Sequence, residues 1–329
     1  FLRSTRYARI SPPFFFFLLL RRPPRSTLFP YTTLFRSRLQ SWLKDGQILV
    51  NEEVKRAKDK VLGGEQVTLK VILSSENAWE AENIPLNIVY EDEQLIVINK
   101  SAGMVVHPAA GNYSGTMLNA LLHYAPELEA IPRAGIVHRL DKETSGLLVV
   151  ARTLQAQKLL VEQLQARSFL REYDAIVNGL VTAGSTINQP IGRHPVNRKR
   201  MAVNSNGKPA ITHYRVKERF RLHTKLTVKL ETGRTHQIRV HMAYVNHPLL
   251  GDPVYGGRFK IPPASDESFV AAIRNFRRQA LHARHLGLTH PETKEFIEWS
   301  VDVPQDMREL EDVLRLDLKQ HEKNSSGKA

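Results

Sequence analysis

The sequence contains no cysteine. That absence excludes disulfide scaffolds, thiolate-bound zinc, iron–sulfur centres and thiol nucleophiles. It fits a reducing cytosol, and it would equally suit a periplasmic protein. Long apolar stretches are missing as well. The run Phe14–Leu20 is seven residues, against the roughly 20 needed to span a bilayer. Arg21-Arg22 and two prolines follow it, where a signal peptide needs small residues. There is no G-x-x-x-x-G-K-S/T phosphate loop, no G-x-G-x-x-G after a strand and no H-E-x-x-H. The thirteen histidines are scattered and lack paired carboxylates at ligand spacing, so no metal site is expected. His282 and His285, three apart in a strand-like segment, would face opposite sides.

Charge is unevenly placed. The 329 residues are 42% apolar, enough for two domains and a real core, and 47 Lys and Arg stand against 33 Asp and Glu. Residues 1–38 hold eight arginines, no lysine and no acid. Their homopolymeric phenylalanine beside arginine and proline has neither a helical nor a strand period. Residues 1–37 therefore read as an atypical segment outside the fold. From Arg193 to Arg239 there are thirteen Lys and Arg and two acids, and the remaining 244 residues are net −5. One basic block on a slightly acidic body is the footprint of phosphate-backbone binding. A plain solvated strand face is the competing reading.

Periodicity gives the organisation. Leu39, Trp42 and Leu43 have helical spacing, stopped at Lys44-Asp45-Gly46, and 47–51 and 67–73 read as strands. A polar linker, 74–83, leads to a larger unit over 84–321, and 322–329 reads as a disordered tail. Within that unit, 86–90 and 95–99 flank Glu91-Asp92-Glu93 as a hairpin, and 117–124 is a helix. A buried strand at 147–150 precedes an amphipathic helix at 156–165. Half-exposed antiparallel strands follow at 172–177, 211–216 and 226–230. Strands at 281–288 and 296–303 and a helix at 307–318 close the chain. Helices among antiparallel strands indicate an α+β fold with a mixed, mostly antiparallel sheet.

Three polar segments lie between apolar runs. In the first, 135–146, Asp141 sits between Arg139 and Lys142, whose charges favour an ionised, nucleophilic carboxylate. A loop aspartate that caps backbone amides is the alternative. In the second, 231–241, a strand ends at Gly233 and Thr235 is placed to cap the next helix. Arg239 then lies one turn in, suited to hold a carboxylate or a phosphate. In the third, Arg171-Glu172-Tyr173-Asp174, Tyr173 starts a strand and offers a ring for base stacking or simply for packing.

The run His138-Arg139-Leu140-Asp141-Lys142-Glu143-Thr144-Ser145-Gly146-Leu147-Leu148 resembles the catalytic signature of the RluA/RluD-type pseudouridine synthases. Asn99-Lys100 with 103–108 is similar to the motif before that loop, and 232–241 and 247–253 to those after it. Residues 38–73, with Leu49-Val50-Asn51, resemble the back part of an S4 RNA-binding domain, whose front part has no counterpart in 1–36. Ser101 stands where the family usually has proline.

The resemblance implies an isomerase that turns uridine into pseudouridine in 23S ribosomal RNA, on the free RNA or a large-subunit precursor particle. Asp141 would be the nucleophile, Tyr173 the residue that stacks on uracil and aids proton transfer, and Arg239 the partner of Asp141. Leu281 would line the base pocket. Arg139, Arg234 and His236 would contact the RNA, and so, from the basic block rather than the resemblance, would the contiguous Arg198, Lys199 and Arg200. It implies no cofactor, no membrane, a monomer and a cytoplasmic location. The rival readings are an RNA-binding assembly factor with a structural loop, an RNA hydrolase and a membrane-surface patch. The hydrolase lacks a histidine pair or metal acids, and the membrane patch lacks a Trp/Phe-rich amphipathic helix.

Overall fold

A computed structural model describes residues 42–56, 59, 63–69, 79–109, 111–197, 200–257 and 259–326. Expectations for 1–41, 70–78, Arg198 and Lys199 lie outside the described residues. Two units divide between Ala78 and Trp79.

The small unit has a helical turn at 42–44 and three antiparallel strands, β1 (Ile48–Val50), β2 (Glu53–Val54) and β3 (Val67–Leu69), with β1 central. Asn51 and Glu52 link β1 to β2, both with positive φ, 51° and 66°. A two-residue loop of that kind matches the twist of a hairpin, and asparagine enters it readily. Leu43 and Ile48 are the buried pair beneath it.

The large unit is built on nine strands among the described residues. These are β4 (Ile88–Glu91), β5 (Leu95–Lys100), β6 (Ser145–Ala151), β7 (Leu170–Asn178), β8 (Ser185–Asn188), β11 (Ile211–Arg219), β12 (His223–Leu230), β13 (Leu281–Thr289) and β14 (Phe296–Ser300). Their order is β4-β5-β6-β13-β7-β12-β11-β8, with β14 added to β13. Only the β6–β13 contact is parallel, so the mixed, mostly antiparallel expectation holds. A separate ribbon pairs β9 (Ile191–Arg193) with β10 (Met201–Val203). The helices are α1 (Met117–Tyr124), α2 (Leu154–Gln165), α3 (Gln237–Tyr244), α4 (Glu267–Asn275) and α5 (Gln305–Ser326).

Strand β6 is buried along its whole length. Leu148 and Val150 join the core on one face, beneath α1, and Leu147 and Val149 join the core beneath α2 on the other. A strand covered on both faces reads as an apolar run, which is what Leu147–Val150 is. Gly146 has φ +113°, and a Cβ there would lie 2.3 Å from Ala283 O. Only glycine lets the loop before β6 turn so close to β13.

Several expectations change. Strands β7 and β12 are not half-exposed: α4 and α5 cover the second face, where Ile176 packs with Phe269, Met307 and Leu310. Of the three strands expected to be half-exposed, β11, next to the edge strand β8, alone keeps an alternating pattern. The linker is part of the body from residue 79. Trp79 packs on the main core, Asn119 Nδ2 donates to Glu80 O at 2.8 Å, and the Glu82 carboxylate accepts from Gly115 N. Helix α5 runs on to Ser326, so the expected tail is helical over most of its length. Buried Leu310 and Leu314 anchor the helix, and the Lys, Gln and Glu that follow propagate it.

Candidate active site

Asp141 lies in the loop that enters β6, and the loop is tied down from several directions. Thr144 N donates to Asp141 O at 3.0 Å. The ammonium of Lys100, at the end of β5, donates to Ser101 O (2.7 Å), Met104 O (2.9 Å) and Lys142 O (3.0 Å). Burial pushes the Lys100 pKa down to about 8, and the charges of Glu143 and Asp141 only partly offset it. His138 Nε2 accepts from Val149 N at 3.1 Å, and burial, with the charge of Arg171, pushes its pKa down to about 3. A neutral imidazole is what accepting at Nε2 requires.

Arg239 is the third residue of α3 and is buried. Its Nη1 donates to Asp141 Oδ2 at 3.0 Å. Its Nε and Nη2 fork onto Asp252 Oδ2 and Oδ1 at 2.7 and 2.9 Å. Burial alone would lower the Arg239 pKa, but its bonds to the two carboxylates outweigh that and raise it. Burial likewise pushes Asp252 up, yet Arg239 and the backbone amides of Tyr255 and Val254 hold it below the usual carboxylate range.

Thr235 does not cap α3. His236 stands at the helix start in a left-handed conformation, φ 56°, with no side-chain capping bond. The buried Gln237 supplies the anchor instead: its Oε1 accepts from Arg234 N and Thr232 Oγ1, and its Nε2 donates to Ile211 O. His236 is thereby free to face the site. Its Nδ1 is 2.9 Å from Tyr255 Oη and its Nε2 is 4.0 Å from Asp141 Oδ1. Burial lowers the His236 pKa more than the Asp141 charge raises it, so the ring is neutral at neutral pH.

Tyr173 is the fourth residue of β7, not the first, and it is 7% exposed. Its ring shares one core cluster with Leu140, Leu281 and Ile238. Leu281 pairs with Ala175 on the neighbouring strand, so it stands one step along the same sheet face as Tyr173. Burial raises the Tyr173 pKa, the charge of Arg171 opposes this, and Asp141 adds to it. The phenol therefore keeps its proton at neutral pH.

The remaining expected contacts separate. Arg139 is exposed, and its charge reaches His236. Arg234 donates from Nε to Pro209 O at 3.0 Å; burial, with the charges of Arg167 and Arg171, lowers its pKa. Arg171 is buried and donates to Glu231 O at 3.1 Å. The charge of Arg171 thus acts on Tyr173 and that of Arg139 on His236. Arg200 is not a free surface cation: its guanidinium lies 5.0 Å from the Tyr255 ring centroid, with Arg239 at 5.1 Å from the same ring. Asp252, Tyr255 and Lys100 went unassigned in the sequence. The signal for Asp252 was arithmetic: a buried arginine carries five N–H donors, and one carboxylate satisfies two at most. Among the described residues no group of three or more His, Asp and Glu is placed to hold a metal ion. A separate cleft of about 590 Å³ is lined by Leu86, Lys100, Ser145, His282 and Asp306, and by neither Asp141 nor Tyr173.

The sequence model of the RNA pseudouridylate synthase family matches residues 94–244, a stretch that holds Asp141, Tyr173, His236 and Arg239. A protein of Escherichia coli named ribosomal large subunit pseudouridine synthase D is 56% identical over 287 residues, 87% of this chain and 88% of its own. The chain belongs to this family. A Pseudomonas aeruginosa protein of the same name is 56% identical over 282 residues, 86% of this chain and 88% of its own. The structure of human RNA pseudouridylate synthase domain containing 1 covers 71% of this chain and 89% of its own, at 26% identity and a TM-score of 0.53. Relatedness at this level supports the α+β expectation for the large unit.

Proposed function

We propose that this chain isomerises uridine to pseudouridine in the 23S RNA of the large ribosomal subunit, with Asp141 as its essential carboxylate. The observation that carries this reading is the Asp141–Arg239 contact at 3.0 Å. It fixes one oxygen of a carboxylate whose loop neighbour Leu140 packs in the same core as the buried Tyr173 ring. The reaction breaks the bond from C1′ to N1, turns the uracil and joins C1′ to C5, after which C5 gives up its proton and N1, freed from the sugar, takes one up. Nothing is oxidised and no group is transferred from outside, so the protein's own residues suffice.

Asp141 either bonds to the ribose or base or takes the proton from C2′. Arg239 fixes which oxygen it presents. The target base must leave its stack to reach this depth, and the Tyr173 ring with Leu281 beside it offers a place for it. Arg139, Arg171 and Arg234 carry charge suited to the flanking phosphates. The 38–73 unit acts as a partial S4-type contact to the same RNA, and the enzyme works as a monomer in the cytoplasm.

The test is carbodiimide-dependent reverse-transcription mapping of 23S RNA incubated with and without the protein. New stops at discrete uridines are expected, and their absence on both free RNA and precursor particles would overturn the reading.

A further inference from the structure

The hydrogen bonds around Tyr255 favour one tautomer of His236. Met201 N, on β10, donates to Tyr255 Oη at 2.9 Å. That uses one lone pair of the phenol oxygen and leaves its own O–H to be placed. His236 Nδ1, at 2.9 Å, is the acceptor the structure gives it. An accepting Nδ1 on a neutral ring puts the proton on Nε2. Tyr255 is itself held firmly. Its backbone N–H donates to Asp252 Oδ1 at 3.0 Å, and Arg200 and Arg239 lie against its ring.

The Nε2–H therefore faces Asp141 Oδ1 across 4.0 Å. This oxygen is the one Arg239 leaves open, since Nη1 takes Oδ2. The gap is too long for a direct hydrogen bond and well sized for a shared one. Two hydrogen bonds of about 2.7–2.8 Å that meet at one oxygen, at an angle of roughly 95°, span such a distance. The group in the middle must accept from His236 and donate to Asp141. A hydroxyl does both, whereas an ether, a fluorine or a hydrogen does not.

We infer that His236 Nε2–H and Asp141 Oδ1 together hold the ribose 2′-hydroxyl of the target nucleotide. The inference rests on the proposed reaction, because it is the sugar undergoing rearrangement at C1′ that brings O2′ next to Asp141. His236 is then a substrate-binding residue that selects ribose over deoxyribose, the 2′-hydroxyl being the donor-and-acceptor group that distinguishes RNA from DNA. Tyr255 acts through it, as a positioning residue that fixes the tautomer. The same contact keeps the ribose oriented while the base turns.

The test uses two unreactive RNAs cut from the same 23S segment, identical except at the mapped target position. One carries pseudouridine there and the other 2′-deoxypseudouridine. Wild-type protein should bind the ribose form about tenfold more tightly, the size expected for one or two hydrogen bonds. In His236→Asn, which tolerates the left-handed backbone, the preference should fall below about threefold, while affinity for the deoxy form stays at the wild-type value. Should that variant fail to fold, Tyr255→Phe carries the test on the same criterion. It leaves the imidazole in place and removes only the hydroxyl that orients it.

A wild-type preference near one, or one undiminished in the variant, overturns the inference. Failure of the underlying reading looks different: the wild-type protein would then form no pseudouridine in the uridine version of the same RNA.

Discussion

Asp252 grips Arg239 at two nitrogens, 2.7 and 2.9 Å away, and so decides where the third nitrogen points. That third nitrogen reaches Asp141. The Asp252 carboxylate is fully buried and the Arg239 guanidinium nearly so. Position, rather than charge alone, is what this second carboxylate contributes to the site.

Asp252→Asn leaves a buried guanidinium short of its partner. Breaking such a pair from one side costs about 3–5 kcal/mol, which denaturant unfolding would register. Turnover should fall with it, because Arg239 loses its fixed direction. The acid limb of stability should also change. The Asp252 pKa is depressed in the folded state, so its contribution is full above the unfolded value, about 3.9, and is lost as pH falls through the folded one. The variant should lose less stability than wild type on going from pH 5 to pH 3. An equal loss would show that Asp252 is not the group titrating there.

Tyr173 separates ring from hydroxyl. Tyr173→Phe keeps the buried ring, so RNA affinity and stability should stay close to wild type while turnover slows. Tyr173→Ala removes the stacking surface, worth roughly 1–3 kcal/mol per base. It also opens a cavity beside Leu140 and Leu281, at about 3–5 kcal/mol of stability. Binding isotherms and thermal melts on both variants check this, and identical binding by the two would make the residue purely structural.

That second penalty marks the limit of what the sequence made legible. Its apolar patterning located β4 to β7 and β11 to β14 but not β8, β9 or β10, and the signature run identified the Asp141 loop. Alternation did not show that β7 and β12 are covered twice, because α4, the first of the two covering helices, begins 89 residues after β7 ends and 37 after β12 ends. Tyr173 thus read as a strand-start platform and proved to be mid-strand core. Spacing alone did not show contacts across long separations: Asp141 meets Arg239 at 98 residues, a pairing that only the family resemblance implied. Met201 meets Tyr255 at 54. Arg200 looked like one of three contiguous phosphate contacts because a linear charge run does not show which cation turns inward onto a ring.

Lys100 gives the site a pH limit. Its ammonium binds three carbonyls around the catalytic loop, and its pKa is lowered to about 8. Above that pH the amine loses one donor, and turnover should decline with a midpoint near 8. Stability should not decline with it. Between about 8 and the ordinary lysine value the unfolded chain binds the extra proton, so this group makes the fold slightly more stable as pH rises. A pH–rate profile of Lys100→Met should be low throughout and lack the limb near 8. A limb that persists in the variant would assign it to another group.

The central claim is that Asp141 does the chemistry, and one measurement addresses it most directly. Joining C1′ to C5 expels the hydrogen on C5, so RNA carrying tritium at C5 of uridine releases label to water at each turnover. Asp141→Asn keeps the side chain's size and its contact to Arg239 but removes the negative charge. Assayed beside wild type on the same tritiated 23S fragment, the variant should bind within about twofold of wild-type affinity and release no label above background. Release at the wild-type rate would contradict the account.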